Sequence, residues 1–142
     1  MTLADQHVQK FLAGKDIVVL ATTQHNGSPL AMPMWFLHDP ASLAMISVEG
    51  TQKVRNLRRD PRVCVVAEAV SDRGEIQGVT LVGNAEFLGD GPERKALAER
   101  FHAKYPGLAR LWAGRAMPAN RVMFRITPAR VRSWGLESVR DD

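Results

Sequence analysis

Residues 17–37 read IVVLATTQHNGSPLAMPMWFL, so two apolar, β-prone runs stand on either side of His25-Asn26-Gly27. An Asn-Gly pair between two such runs is the strongest short-range signal for a β-hairpin, because both residues tolerate the positive φ of a tight turn. The sequence therefore predicts a strand over 17–23, a turn, and a return strand over 30–37.

The pattern of short strands continues outward from this hairpin. We predict further strands over 43–48, 62–69, 77–88, 121–127 and 129–134, the last two pivoting on Pro128. Gly83 interrupts the 77–88 run and predicts a β-bulge. Many short strands joined by hairpins are typical of an antiparallel barrel rather than of a doubly wound parallel sheet. The predicted fold class is mainly β (α+β), with about six or seven antiparallel strands and flanking helices.

Helical signals occur outside these strands. A partial apolar stripe over 3–13 stops at Gly14, and Gly91-Pro92 opens a helix that runs to about residue 105. A further helical piece covers 108–113. Thr51 is the expected N-cap of a helix that ends at Asp60-Pro61. Because this helix lies between two strands, we expect it to cross the end of the barrel.

Length and composition limit the protein class. The 142 residues fit one domain, 1–142. Cys64 is the only cysteine, so no intramolecular disulfide forms, and its apolar run favours a small packed side chain. The N-terminus has no signal-peptide pattern and no apolar run nears the ~20 residues of a membrane span, so we expect a cytoplasmic protein without membrane association.

Charge, histidine spacing and motif content together disfavour several function classes. The net charge of +4 suits an anionic ligand, whereas 6% aromatic residues and the lack of a long Lys/Arg run disfavour nucleic acid. The four histidines show no metal-ligand spacing, so no metal site is predicted. No Ser-His-Asp order, G-x-S-x-G or Walker loop supports a hydrolase or a P-loop enzyme.

Residues 47–56, SVEGTQKVRN, carry the chemistry that the sequence makes visible. A strand ends at Ser47, a glycine turn follows, and Thr51 opens a helix whose first turns hold Lys53 and Arg55. Hydroxyl donors, basic side chains and free helix-start amides together suit a terminal phosphate. Glu49 must then point away from the phosphate. A capped surface helix with solvated basic residues is the alternative.

Four segments extend this interpretation to nearly the whole chain: 21–29, 53–63 (KVRNLRRDPRV), 78–85 (GVTLVGNA) and 121–131 (RVMFRITPARV). With these segments the sequence resembles the pyridoxamine-phosphate-oxidase-like, split β-barrel superfamily of flavin- and deazaflavin-dependent oxidoreductases. The second segment resembles the phosphate-binding helix of that superfamily. The resemblance implies a split β-barrel and a homodimer with two coenzyme sites at the interface.

The resemblance also implies a set of coenzyme-binding residues. The ribityl-phosphate end would be lined by Ser47, Thr51, Lys53, Arg55 and Asn56. The tricyclic ring would lie beside the strand that holds Met32, Pro33, Met34 and Trp35, mostly against backbone groups. The partner's site would be completed by Gln77 and Val79.

Departures from the family pattern favour one branch of it. The true vitamin-B6 oxidases carry basic residues in the strand after the first hairpin and an additional Arg beside the phosphate-binding Lys. Here 31–36 is apolar and Gln52 precedes Lys53. The resemblance therefore favours a deazaflavin (F420) coenzyme, with FMN as the other option, and hydride transfer to or from an electron-poor small molecule. The alternative is a non-catalytic flavin or haem carrier, and no catalytic residue is assigned.

Overall fold

The computed structural model describes residues 1–136. Seven strands form one antiparallel sheet that curves into a half-barrel, so the predicted fold class is confirmed. The strands are β1 Val18–Thr23, β2 Pro29–Met34, β3 Leu37–His38, β4 Leu43–Val48, β5 Arg62–Val70, β6 Ile76–Leu88 and β7 Arg121–Trp134. Their order in the sheet is β2-β1-β5-β6-β7-β4-β3. The helices are α1 Gln6–Ala13, α2 Gln52–Arg59, α3 Pro92–Lys104 and α4 Leu108–Leu111.

The first hairpin forms as predicted. β1 and β2 pair from Val18 opposite Met34 to Thr23 opposite Pro29. The connecting loop places Gly27 at a φ of 87°, the left-handed region that glycine adopts without steric cost. Gly27 N donates to the Gln24 carbonyl at 2.9 Å, which closes the loop.

The predicted return strand over 30–37 was wrong in its second half. β2 ends at Met34, and the chain enters β3 only after Trp35 and Phe36. The physical reason is that β2 and β3 lie at opposite edges of the sheet, so no single strand serves both. Between them the Phe36 amide leaves the sheet and donates to the Tyr105 hydroxyl at 2.9 Å.

The predicted pair of strands at the C-terminal end is one continuous strand, β7. The register between β6 and β7 shifts at Gly83, from Val82 opposite Arg130 to Gly83 opposite Pro128. The bulge that Gly83 predicts is thus confirmed, and it allows Pro128 to stay within the strand although proline lacks an amide proton. A Cβ on Gly83 would lie 2.2 Å from the Thr127 carbonyl oxygen, so only glycine fits there.

The helices close the half-barrel and contribute to its core. α2 packs on the sheet through Val54 and Leu57. Thr51 occupies the N-cap position of α2, as predicted, but its side chain makes no capping hydrogen bond. The Thr51 hydroxyl donates to the Val48 carbonyl at 2.8 Å and does not cap the helix amides.

Cys64 is half-buried rather than part of the core, with Sγ 3.5 Å from Thr80 Oγ1. No helix in residues 1–136 has both the length and the apolar character to cross a membrane.

α3 and α4 build a second apolar cluster beside the sheet. Phe101, Tyr105 and Trp112 are its large side chains, and they pack with Leu37 of β3 and Met123 of β7. The clusters on the two sides of the sheet leave the ends of β2 and β4 open between α2 and α4. This opening positions the candidate site.

Candidate functional site

A cavity of about 410 Å³ lies where β4 runs into α2, and α4 covers its other side. We call it the β4–α4 cavity. Its volume falls within the roughly 300–1,000 Å³ of small-molecule sites. Its lining is mostly apolar and contains no carboxylate or histidine: Ile17, Pro33, Met34, Trp35, Ile46, Ser47, Val48, Lys53, Phe101, Leu108, Leu111, Trp112 and Arg121.

The polar groups of this cavity come from three separate elements. Ser47 is near the end of β4, Lys53 is the second residue of α2, and Arg121 is the first residue of β7. The pairing of β4 with β7 sets Arg121 opposite Val48 and Val122 opposite Ser47. The strand register therefore brings a second cation to the helix start where Lys53 is found.

These three side chains have few partners within the chain: among the described residues only the Arg121 guanidinium makes a side-chain hydrogen bond, donating from Nη1 to Asn120 Oδ1 at 2.5 Å. Within residues 1–136, neither the Lys53 ammonium nor the Ser47 hydroxyl makes a hydrogen bond, and neither Lys53 nor Arg121 forms an ion pair. Ser47 is only 6% exposed, and burial lowers the pKa of Lys53. No fully buried side-chain N or O atom of the described residues lacks a partner, so the Ser47 hydroxyl and the Lys53 ammonium are open to a partner within the cavity. An anionic ligand fits this end of the cavity.

The turn between β4 and α2 keeps its acidic residue out of the cavity. Gly50 has a φ of 85°, which reverses the chain at this point. Glu49 is outside the lining and pairs with Arg58 at 2.8 Å, so the expectation that it points away is confirmed. Its negative charge is therefore neutralised on the surface.

The structure brings five of the predicted coenzyme-binding residues together at the β4–α4 cavity. They are Pro33, Met34, Trp35, Ser47 and Lys53. The three from the 33–35 segment and the two at the helix start thus share one cavity, as the resemblance implies for the ring end and the phosphate end of one ligand.

The other six predicted residues do not line this cavity. Arg55 donates to the Gly50 carbonyl and to Gln52 Oε1, and the Thr51 hydroxyl is bound to the Val48 carbonyl. Asn56 is fully buried and Val79 lies in the barrel core. Gln77 donates to the Gly135 carbonyl, and Met32 packs against the core. Their predicted roles in coenzyme binding stay predictions.

The comparison with known families decides the assignment of the chain. The sequence profile of the pyridoxamine 5'-phosphate oxidase family matches residues 4–135. The chain belongs to this family. The resemblance to the pyridoxamine phosphate oxidase-like superfamily that the segments 21–29, 53–63, 78–85 and 121–131 carry is thereby confirmed.

Solved structures agree with the family on the fold. Protein Rv2991 from Mycobacterium tuberculosis is 28% identical over 92% of this chain and 83% of its own, with a TM-score of 0.77. An FAD-binding protein from Mesorhizobium loti is 23% identical over 88% of this chain and 87% of its own, with a TM-score of 0.73. The haem storage protein HutZ from Vibrio cholerae is 15% identical over 93% of this chain and 94% of its own, with a TM-score of 0.74.

Sequence reasoning missed the residues that reach the cavity from distant parts of this family member. Arg121 is 68 positions from Lys53, and only the β4–β7 pairing joins them. The apolar wall is formed by Phe101, by α4 with its exposed Leu111, and by the buried Trp112 that follows the helix. A basic residue at the first position of a predicted strand is a weak signal, since most such residues are solvated.

The described part of the chain offers no donor set for a metal ion. No group of three or more His, Cys, Asp or Glu side chains that could hold one occurs within residues 1–136. The chemistry that the β4–α4 cavity supports is the binding of an anion at one end and of an apolar group along the rest.

Proposed function

We propose that this protein binds a flavin-type coenzyme and uses it as an oxidoreductase, with F420 favoured and FMN the other option. One observation carries the proposal. In a member of this family, Ser47, Lys53 and Arg121 meet at one end of an apolar cavity without a counter-ion among the described residues. Together they match the phosphate of such a coenzyme.

Each of these side chains has its own role in the proposal. The Arg121 guanidinium is a fork that fits two phosphate oxygens, while Lys53 acts as a point charge and Ser47 donates from its hydroxyl. Met34 and Trp35 give the ring an apolar wall. The coenzyme, when bound, supplies hydride transfer, and the chain orients the ring and excludes water from it.

The choice of coenzyme rests on the residue types at two places in the sequence. Residues 31–36 are apolar and Gln52 stands beside Lys53, so the extra basic groups of a vitamin-B6 oxidase are missing. An uncharged or weakly polar, electron-poor molecule is the proposed substrate, because no carboxylate lines the cavity to pair with a cation and the proposal assigns both lining cations to the coenzyme phosphate.

A homodimer belongs to the same proposal. Val70, Ile76, Val82 and Trp134 are exposed, and the register of β5, β6 and β7 puts them on one outer face of the sheet. We propose this face, with its exposed apolar side chains, as the contact surface for a second copy of the chain. Light scattering at micromolar concentration is expected to give twice the chain mass, and a monomer would contradict the dimer.

Titration with FMN, F420 and haem in parallel tests the binding. Lys53→Met keeps the aliphatic stem and removes the charge, so coenzyme affinity is expected to fall about 10- to 100-fold, the size of one lost charge-assisted hydrogen bond. Lys10→Met is the matched control, since it removes the same charge from the exposed face of α1. Equal affinity of wild type and Lys53→Met would refute the phosphate site.

A turnover assay distinguishes an oxidoreductase from a non-catalytic coenzyme or haem carrier. The reduced coenzyme that binds best is mixed with electron-poor acceptors, and its reoxidation is followed by absorbance under anaerobic conditions. Reoxidation that depends on both protein and acceptor supports the oxidoreductase. Tight binding of coenzyme or haem without any turnover would instead support a non-catalytic carrier.

A further inference from the structure

Trp35 lines the β4–α4 cavity and stacks on a second aromatic ring. The indole of Trp35 and the phenol of Tyr105 are stacked, with centroids 4.5 Å apart and an angle of 8° between planes. Tyr105 is 6% exposed and outside the cavity lining, whereas Trp35 is 36% exposed and within it. Tyr105 therefore supports the indole from behind.

The same tyrosine also holds the backbone that carries Trp35. Its hydroxyl accepts the Phe36 amide proton at 2.9 Å, and its own proton faces two carbonyl oxygens, of Asp16 at 2.9 Å and of Phe36 at 3.0 Å. Trp35 and Phe36 form the break between β2 and β3, where no neighbouring strand supplies these bonds. A buried backbone amide without a partner is costly, so the hydroxyl fixes the path of the break.

The C-terminal half of α3 reinforces this arrangement. Lys104 Nζ donates to the Phe36 carbonyl at 2.8 Å and lies 3.7 Å from the centre of the Phe36 ring. Arg100 donates to the His38 carbonyl at 3.1 Å. Burial raises the pKa of Tyr105 to about 12, so the hydroxyl keeps its proton across the physiological range.

We infer that Tyr105 is a positioning residue, which sets the orientation of the Trp35 indole as a fixed wall for the ring of the bound coenzyme. The stack fixes the plane of the indole, and the hydroxyl fixes the backbone from which it projects. This inference rests on the proposed function for its consequence in binding. The orientation of Trp35 itself is a property of the protein without ligand.

Two variants separate the stack from the hydroxyl. Tyr105→Leu removes both, and Tyr105→Phe keeps the ring and removes only the hydroxyl. In the ligand-free protein, acrylamide quenching of Trp35 is obtained as the difference between each protein and its Trp35→Leu counterpart. We expect the Trp35 quenching constant to rise about twofold in Tyr105→Leu and by about half in Tyr105→Phe. An unchanged constant in both would overturn the inference.

A double-mutant cycle tests the consequence for binding, with FMN and F420 as probes. Tyr105→Leu is expected to weaken the affinity about fivefold in the wild-type background and less than twofold in the Trp35→Leu background, because its effect passes through the indole. Equal weakening in both backgrounds would show that Tyr105 acts only on the fold. The charge variant Lys53→Met serves as the reference for loss of the phosphate site.

The quenching and binding experiments distinguish a failure of this inference from a failure of the proposed function. Wild-type protein that binds neither FMN nor F420 refutes the proposed function, while the quenching arm still decides whether Tyr105 orients Trp35. Circular dichroism establishes that each variant is folded at 25 °C before comparison. If Tyr105→Leu does not fold, Tyr105→Phe carries both arms, and a Trp35 quenching constant equal to wild type then overturns the inference.

Discussion

Asn56→Ala is expected to destabilise the fold without weakening the coenzyme site. The Asn56 side chain is fully buried and joins α2 to β1, because its Nδ2 donates to Thr22 Oγ1 at 3.0 Å. Its Oδ1 accepts from Gln52 Nε2 at 2.8 Å. The family resemblance implies instead that Asn56 lines the phosphate end. The two roles predict different phenotypes for one substitution.

The magnitude follows from what the substitution removes. Loss of the buried bond to Thr22 costs about 1–3 kcal/mol, and the emptied space adds roughly 1 kcal/mol. Alanine regains about 0.5 kcal/mol as the better helix former. Gln52 is exposed, so its amide returns to water at little cost. The net loss is about 2 kcal/mol of unfolding free energy, or about 7 °C in the melting temperature of a domain of this size.

Urea unfolding followed by circular dichroism measures this loss, with Gln52→Ala as the matched control that breaks only the exposed bond. Thr22→Val completes a double-mutant cycle, in which the coupling between Thr22 and Asn56 is expected to be about 1 kcal/mol. A loss below about 0.5 kcal/mol would refute the structural role. A tenfold drop in coenzyme affinity of folded Asn56→Ala would assign the residue to the phosphate site.

Two further predictions concern the electrostatics of α3 and the bulge of β6. Burial lowers the pKa of Lys104 from 10.5 to about 8, so between pH 8 and 10 the unfolded chain holds a proton that the folded chain has released, and the free energy of unfolding rises with pH. Lys104→Met should remove about 1 kcal/mol of that rise, given its partial exposure, and an unchanged slope in urea titrations would contradict it. Gly83→Ala should lose about 2 kcal/mol or more, because its Cβ would overlap backbone atoms, whereas Gly89→Ala has open space and should stay within about 0.5 kcal/mol. Equal stabilities of these two variants in urea would refute the bulge geometry.

Local patterns predicted those parts of the fold whose cause is local. The Asn26-Gly27 loop, the strand Leu43–Val48 and the helix opened by Pro92 all depend on residues close together in sequence. The Gly83 bulge could be predicted because a glycine within a strand is itself a local signal, although its partner Pro128 is distant. The predictions that were wrong concern parts of the fold that are set by residues far away in sequence. Nothing in residues 30–37 indicates that β2 and β3 join opposite edges of the sheet, and the break at Trp35 depends on Tyr105, 70 positions later.

The candidate site likewise has residues that could be predicted from sequence and residues that could not. Ser47 and Lys53 could be named from sequence, because a strand, a glycine turn and a helix start bring them together within seven residues. Arg121 reaches them only through the pairing of β4 with β7, and Asn56 is turned inward by the face of α2 that packs on β1. The sequence by itself determined most of the strands, the first hairpin loop and the basic helix start, since backbone conformation and hydrophobic periodicity are local properties. Only the tertiary structure decided which side chains share a cavity, because strand register and helix packing are set by contacts between residues far apart in the chain.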